Sequence, residues 1–163
     1  MTTLYIIRHA YAGQHGDPRW PDDSLRPLTG KGQKQFRRVV KKLARRGFAP
    51  QVVATSPMVR CRQTADVVCE RLSPPPSLVP LDALEPGSRL EELVEWSNAQ
   101  NVETLAWVGH APDVDRLAAS LLGMRDGGMA FAKGAVAAIR FDDQVAPGEG
   151  ELVWFANPKI LKC

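Results

Sequence analysis

Residues 4–10, LYIIRHA, place four consecutive apolar residues directly before Arg8 and His9. A short apolar run without alternation is typical of a strand buried on both faces, as in a parallel sheet. We therefore predict a buried strand over residues 4–7. From Arg8 to Pro27 the chain is interrupted by repeated glycine and proline, which predicts a long loop. Loops of this length in a compact domain are often functional.

The rest of the chain alternates predicted strands and helices. Apolar patterning predicts strands over residues 51–55, 78–81, 104–108, 136–141 and 151–155, and helices over residues 31–46, 58–72, 90–99 and 112–122. This alternation predicts an α/β fold, a three-layer sandwich with a mostly parallel central sheet flanked by helices on both faces. Because 163 residues is an ordinary size for one unit, we expect a single domain over residues 1–163.

Composition narrows the class of protein. Apolar residues make up 44% and charged residues 24%, which is typical of a soluble globular chain. Three cysteines without tight spacing argue against a disulfide framework and a zinc site, and favour reduced thiols in the cytoplasm. No targeting segment or membrane span is predicted. A net charge of +3 is compatible with anionic ligands but is weak evidence for nucleic acid.

Candidate functional residues follow three of the predicted strands. In an α/β sheet, ligands bind beyond the carboxyl ends of the strands. Arg8 and His9 follow the first strand, Ser56 to Arg60 the second, and Gly109-His110 the fourth. Arginine forks match phosphate oxygens, and a neutral histidine can attack phosphorus to form a covalent intermediate. We therefore predict a site for phosphoryl transfer at this edge of the sheet.

Four segments in this order resemble the histidine phosphatase superfamily, whose fold is phosphoglycerate mutase-like. They are Ile7-Arg8-His9-Ala10, Leu28-Thr29-Gly30-Lys31-Gly32, Ser56 to Ala65 (SPMVRCRQTA) and Val108-Gly109-His110. With Ala111-Pro112 after His110, the chain is most similar to the SixA-type phosphohistidine phosphatases. The resemblance differs at Ala10, where the superfamily signature commonly has glycine. Alanine is expected to fit there if the backbone needs no positive φ.

The resemblance implies roles for the matching residues. His9 would be the nucleophile, and Arg8, Arg60 and His110 would bind the phosphoryl group, with no metal and no organic cofactor. The substrate would be phosphohistidine on a protein, with a histidine-containing phosphotransfer domain as the expected partner. Arg60 is preferred to the nearby Arg62 because its spacing from Ser56-Pro57 fits the family.

The leaving group separates two enzymatic hypotheses. An alkyl phosphoester needs a proton donor for its alkoxide, whereas a protonated imidazole leaves phosphohistidine as a neutral ring. Glu85 is the candidate acid for a small-molecule phosphomonoesterase, and its alternative role is that of a loop carboxylate. A third hypothesis, a non-catalytic phosphate-binding module, is disfavoured because His9, Arg8, Arg60 and His110 are all present.

Several other residues have two interpretations each. Ser56 could donate to phosphate or cap the following helix. His15 is expected to be a surface histidine rather than a ligand, while Trp20 and Arg26 could form a wall of the substrate entrance. The basic helix over residues 31–46 is either a solvated amphipathic face or a docking surface for an acidic protein or nucleic acid. A cysteine nucleophile is disfavoured because neither Cys61 nor Cys69 has an arginine six positions later.

Overall fold

A computed structural model describes residues 1–125 and 128–163. Its strands are β1 (Thr2–Arg8), β2 (Val52–Thr55), β3 (Ser77–Pro80), β4 (Thr104–Gly109), β5 (Val136–Phe141) and β6 (Glu151–Ala156). Its α-helices are α1 (Gly30–Ala44), α2 (Val59–Arg71), α3 (Leu90–Ala99) and α4 (Asp113–Leu121). Short 3₁₀ turns cover Asp23–Leu25 and Asp82–Leu84.

The six strands form one sheet in the order β3-β2-β4-β1-β5-β6. Strands β3, β2, β4 and β1 pair in parallel, whereas β5 is antiparallel to both β1 and β6. The predicted α/β class with a mostly parallel sheet is therefore confirmed. The parallel part includes the strands whose carboxyl ends were predicted to meet.

Strand β1 lies inside the sheet and is covered on both faces, as its unbroken apolar run predicts. Tyr5 and Ile7 pack in a core with α1 and α2, where Phe36 and Val68 are fully buried. Leu4 and Ile6 belong to the opposite core, which α3 and α4 close. Both sets are shielded because successive side chains of a strand point to opposite faces.

The predicted element boundaries agree with the structure to within about two residues at most ends. The helix predicted over residues 31–46 is shorter at its end, because α1 stops at Ala44 and Gly47 adopts a φ of +88°. At its start, the Thr29 hydroxyl accepts a hydrogen bond from the Gly32 N–H at 3.0 Å, the expected cap. The 3₁₀ turn over Asp23–Leu25, inside the long predicted loop, was not predicted.

Candidate active site

The carboxyl ends of the parallel strands border a cleft of about 490 Å³. The predicted residues Arg8, His9, Arg60 and His110 all line it. His9, Arg60 and His110 are buried although they are polar. Three chain segments that are far apart in sequence thus meet at one place because parallel strands end at the same edge of the sheet.

The His9 ring is held in one tautomer by its neighbour. Its Nδ1 lies 2.7 Å from the carbonyl oxygen of Ala10, and a carbonyl can only accept, so Nδ1 carries the proton and Nε2 is left unprotonated. Burial lowers the pKa of His9 to about 3 despite that hydrogen bond, and the nearby positive groups lower it further. His9 is therefore a neutral imidazole at pH 7. Ala10 has no positive φ, so alanine is compatible with this backbone.

The two arginines of the cleft are each anchored through one end of the guanidinium. Arg8 Nη1 donates to the Phe131 carbonyl oxygen at 2.6 Å, and Arg60 Nη1 donates to the Asp23 carbonyl oxygen at 2.8 Å. The Nε atoms of Arg8 and Arg60 are buried and have no hydrogen-bond partner among residues 1–125 and 128–163. Burial lowers the pKa of both arginines, yet a guanidinium stays cationic. Buried donors that lack acceptors are typical of an anion site.

His110 lies beside His9 and is oriented by Ser56. The two imidazole rings are 5.5 Å apart and inclined by 62°. His110 Nε2 is 2.9 Å from the Ser56 hydroxyl and 3.4 Å from the Cys61 sulfur. Burial and the nearby Arg60 lower the pKa of His110 to about 4, so it too is neutral at pH 7.

The Ser56 hydroxyl has a second contact, at 3.4 Å from the Met58 N–H. Its shorter contact is with His110. Burial raises the pKa of the Cys61 thiol to about 12, which keeps it protonated and a poor nucleophile.

Sequence reasoning missed Asp23, which lies in the unpredicted 3₁₀ turn. Its carboxylate accepts from Arg26 Nε at 2.8 Å and lies 3.2 Å from Arg60 Nη2. The hydrogen bond from Arg26 and the charge of Arg60 lower the pKa of Asp23 to about 2. Asp23 therefore holds two of the cleft's guanidinium groups. The Asp23-to-Arg26 spacing of three was visible in the sequence, but nothing local indicated that the turn returns to Arg60.

Three further charged residues of the cleft were also missed. Asp113 is buried at the start of α4, where its carboxylate accepts from the Gly87 N–H at 2.8 Å and pairs with Arg116. Lys133, just before β5, has its ammonium 4.4 Å from the centre of the Tyr11 ring. With these residues the cleft contains five cationic side chains and two carboxylates, an electrostatic balance that favours anionic ligands.

The sequence was compared with known families and proteins. The family model of the histidine phosphatase superfamily (branch 1) matches residues 4–85. The chain belongs to the histidine phosphatase superfamily. This family membership confirms the resemblance on which the predicted site residues were based.

Two curated relatives align with this histidine phosphatase over nearly its whole length. An uncharacterised protein of Picosynechococcus is 30% identical, and the alignment covers 97% of this chain and 98% of the relative. Phosphohistidine phosphatase SixA of Escherichia coli is 28% identical, with 98% and 96% covered. The solved structure of the protein histidine phosphatase SixA complexed with tungstate matches with a TM-score of 0.84 at 27% identity, over 98% of this chain and 99% of that one. These similarities confirm the SixA-type resemblance and the fold, and they support phosphatase activity.

Glu85 lies outside the cleft of this histidine phosphatase. It is exposed at the end of the Asp82–Leu84 turn. Its neighbours Pro86 and Gly87 line the cleft, but among the described residues Glu85 is not one of the lining side chains. The structure therefore does not bring the candidate acid together with His9 and His110.

The long loop contributes to the cleft of the histidine phosphatase in part. Arg26 is buried in the lining and also donates to the Ala12 carbonyl oxygen at 3.0 Å. Trp20 is not among the described lining residues. His15 lies at the rim with its side chain 83% exposed and its Nδ1 3.1 Å from Asp23. Arg62 lies outside the cleft and pairs with Asp66 at 3.5 Å.

Two searches of the described residues gave no candidate. Within residues 1–125 and 128–163, no group of three or more His, Cys, Asp or Glu side chains is arranged to hold a metal ion. In the same part of the chain, none of the helices has the length and apolar character needed to cross a membrane.

Proposed function

We propose that this protein is a phosphohistidine phosphatase in which His9 is the nucleophile. The observation that carries the proposal is the state of the His9 imidazole. Its Nδ1 donates to the Ala10 carbonyl oxygen, and its lowered pKa keeps Nε2 free of a proton at neutral pH. Such a nitrogen, placed among Arg8, Arg60 and His110, is suited to attack phosphorus.

The proposed reaction has two displacements at phosphorus. His9 Nε2 first bonds to phosphorus while the phosphorus–nitrogen bond of the substrate breaks, and the protonated substrate imidazole leaves as a neutral ring. Water then bonds to phosphorus, the bond to His9 breaks, and inorganic phosphate leaves. Arg8 and Arg60 would bind the phosphoryl oxygens, and their charge would stabilise the transition state in both steps. His110 and Ser56 would donate hydrogen bonds to the same oxygens.

The position of the carboxylates supports phosphohistidine rather than an alkyl phosphate as the substrate. Glu85 is exposed outside the lining. The Asp113 carboxylate is already occupied by Arg116 and the Gly87 N–H. An alkoxide leaving group needs a positioned acid, whereas the imidazole of phosphohistidine does not. We infer a phosphorylated protein as the substrate, with a histidine-containing phosphotransfer domain as the expected class.

Two broader parts of the proposal concern the chain as a whole. We propose that residues 1–163 act as one domain without a metal or organic cofactor, since the cleft draws on β1, α2, α4 and the segment before β5. We place the activity in the cytoplasm, because Cys61, Cys69 and Cys163 are free thiols and such thiols are typical of reducing compartments.

The nucleophile can be tested by trapping the covalent intermediate. The protein is mixed with a radiolabelled phosphohistidine peptide and quenched in alkaline denaturant. We expect label on the protein that is stable to base, labile to acid and located on His9. His9→Ala should lose both the label and turnover, while the control His15→Ala, at the exposed rim, should keep both. Label on another residue, or wild-type turnover by His9→Ala, would refute the assignment.

The leaving group can be tested separately with Glu85→Gln. We expect this variant to hydrolyse the phosphohistidine peptide at the wild-type rate. The small-ester hypothesis would replace ours if the wild type hydrolysed an alkyl phosphate at least as efficiently as phosphohistidine and Glu85→Gln abolished that reaction.

A further inference from the structure

Helix α1 concentrates the positive charge of the molecule. Residues 31–46 contain eight of the 21 lysines and arginines and none of the 18 acidic residues. Outside this segment, acidic residues outnumber basic ones, although the whole chain has a net charge of +3. Charge complementarity therefore distinguishes this one helix from the rest of the surface.

Five of these cations form a single line, which we call the basic stripe. It consists of Lys31, Lys34, Arg38, Lys41 and Arg45, all exposed. Their spacing of three and four residues puts them on one side of the helix, over about 21 Å at 1.5 Å per residue. In the described part of the chain, no carboxylate lies within 4.0 Å of any stripe cation.

The other three cations of α1 have partners within the molecule. Arg37 pairs with Glu70, Lys42 donates to the Leu161 carbonyl oxygen, and Arg46 donates to the Lys42 carbonyl oxygen. A solvated helix face usually mixes both signs of charge, because like charges three or four residues apart destabilise the helix. The stripe has four such neighbouring pairs. An acidic partner laid along the stripe would relieve this repulsion.

The stripe begins next to the cleft. Lys31 lines a second cavity of about 460 Å³ together with Tyr11, Gln35 and Lys133. Lys133 also lines the cleft that contains His9. A positively charged surface therefore runs from the phosphoryl site through Lys133 and Lys31 onto α1. One partner can occupy both regions if its phosphorylated side chain lies beside an acidic face.

The packing of α1 favours a protein partner. A helix that binds membranes inserts an apolar face into the lipid, but the apolar face of α1 is buried in the core, as Phe36, Val40 and Leu43 show. Binding of single-stranded nucleic acid depends on stacking with aromatic side chains, and Phe36, the one aromatic residue of α1, is buried. Carboxylates on a protein surface need neither feature.

We propose that the basic stripe is a docking surface for an acidic face of the phosphorylated protein on which this phosphatase acts. This inference rests on the proposed function, since it assigns a partner to the same site. It predicts that substrate preference depends on carboxylates located away from the phosphorylated residue.

The test uses two synthetic helical peptides, each with one phosphohistidine near an end. The acidic peptide has glutamate at positions spaced like the stripe, and the neutral peptide has glutamine there. We expect the wild type to show at least about a tenfold higher kcat/KM for the acidic peptide at low salt, and the difference to shrink at about 0.5 M salt. The variant K34E/R38E/K41E should lose this preference through KM, with kcat unchanged.

The matched control is R71E/R125E/K159E, which changes the net charge equally at exposed positions outside α1. It should keep the preference, and all variants should hydrolyse free phosphohistidine at the wild-type rate. Retention of the preference by the stripe variant, or its equal loss in the control, would overturn the docking surface. So would a stripe variant that keeps peptide preference but loses binding to a DNA duplex or phosphatidylserine vesicles.

Failure of the proposed function would look different. In that case the wild type would hydrolyse neither free phosphohistidine nor the peptides. Fluorescence anisotropy of the labelled acidic peptide would still test the stripe, with tighter binding to the wild type and the control than to K34E/R38E/K41E as the expected result. Equal binding to all three would refute the docking surface by itself.

Discussion

The buried Thr64 hydroxyl accepts a hydrogen bond from the backbone N–H of Ala10 at 3.1 Å. The same hydroxyl donates to the Arg60 carbonyl oxygen at 2.7 Å. Ala10 is also the residue whose carbonyl holds the His9 ring. One hydroxyl on α2 thus connects the segment that orients the proposed nucleophile with the helix turn that presents Arg60.

Replacing Thr64 with valine is expected to reduce both stability and activity. Valine has a similar shape but leaves the Ala10 N–H buried without an acceptor, which costs about 1–3 kcal/mol of unfolding free energy. A loosened Ala10 would also orient His9 less well, so kcat should fall more than KM rises. Urea unfolding and steady-state kinetics measure the two effects. Thr64→Ser should restore both, and a valine variant identical to the wild type would contradict the linking role.

Gly32 is expected to tolerate no side chain, because α1 packs directly on the loop that follows β1. A Cβ at Gly32 would lie 2.2 Å from the Tyr11 carbonyl oxygen, a backbone atom that cannot move independently. Gly32→Ala should therefore lower the melting temperature by several degrees, which corresponds to about 1–3 kcal/mol of overpacking. Gly30→Ala is the matched control, since its Cβ would meet no atom within 4 Å. Equal melting temperatures for the two variants would contradict the close approach.

The imidazoles of His9 and His110 are expected to remain neutral well below pH 6.5. Burial lowers their pKa values to about 3 and about 4, from an ordinary value of 6.5. The NMR shifts of both rings should therefore stay nearly constant between pH 7.5 and 5. His9→Gln and His110→Gln variants would assign the signals. A titration midpoint near pH 6.5 for either ring would show that burial does not suppress protonation.

The same lowered pKa values predict how stability depends on pH. In the unfolded chain both histidines take up protons as the pH falls through about 6.5, whereas in the folded protein they do so only near 4 and 3. The unfolded state therefore binds more protons in this window, and folding stability should decrease as the pH falls from 6.5 toward 4. The limiting slope is about 1.4 kcal/mol per pH unit for each histidine.

Urea denaturation at several pH values would measure that slope. The double variant H9N/H110N removes both titrating groups and should flatten it between pH 6.5 and 4.5, whereas the control His15→Asn should leave it as in the wild type. A wild-type stability that does not change across this window would contradict the prediction.

Local sequence patterns were sufficient for most of the fold. The unbroken apolar run at residues 4–7 predicted a strand buried on both faces, and the periodicity of residues 90–99 predicted α3 with its observed ends. Strand ends also identified Arg8, His9, Arg60 and His110 as residues of one cleft. The antiparallel pairing of β5 and the strand order could not be predicted in the same way, because they depend on contacts between segments far apart in the chain.

The sequence by itself determined the fold class, the family and the four side chains that meet at the cleft, because parallel strands deliver their carboxyl ends to one edge regardless of loop details. Only the tertiary structure decided what surrounds those side chains. The loop after β1 returns to place Asp23 against Arg60, the Asp82–Leu84 turn leaves Glu85 exposed, and the start of α1 lies beside Lys133. These contacts depend on the path of loops and on packing between distant segments, which no local pattern of residues specifies.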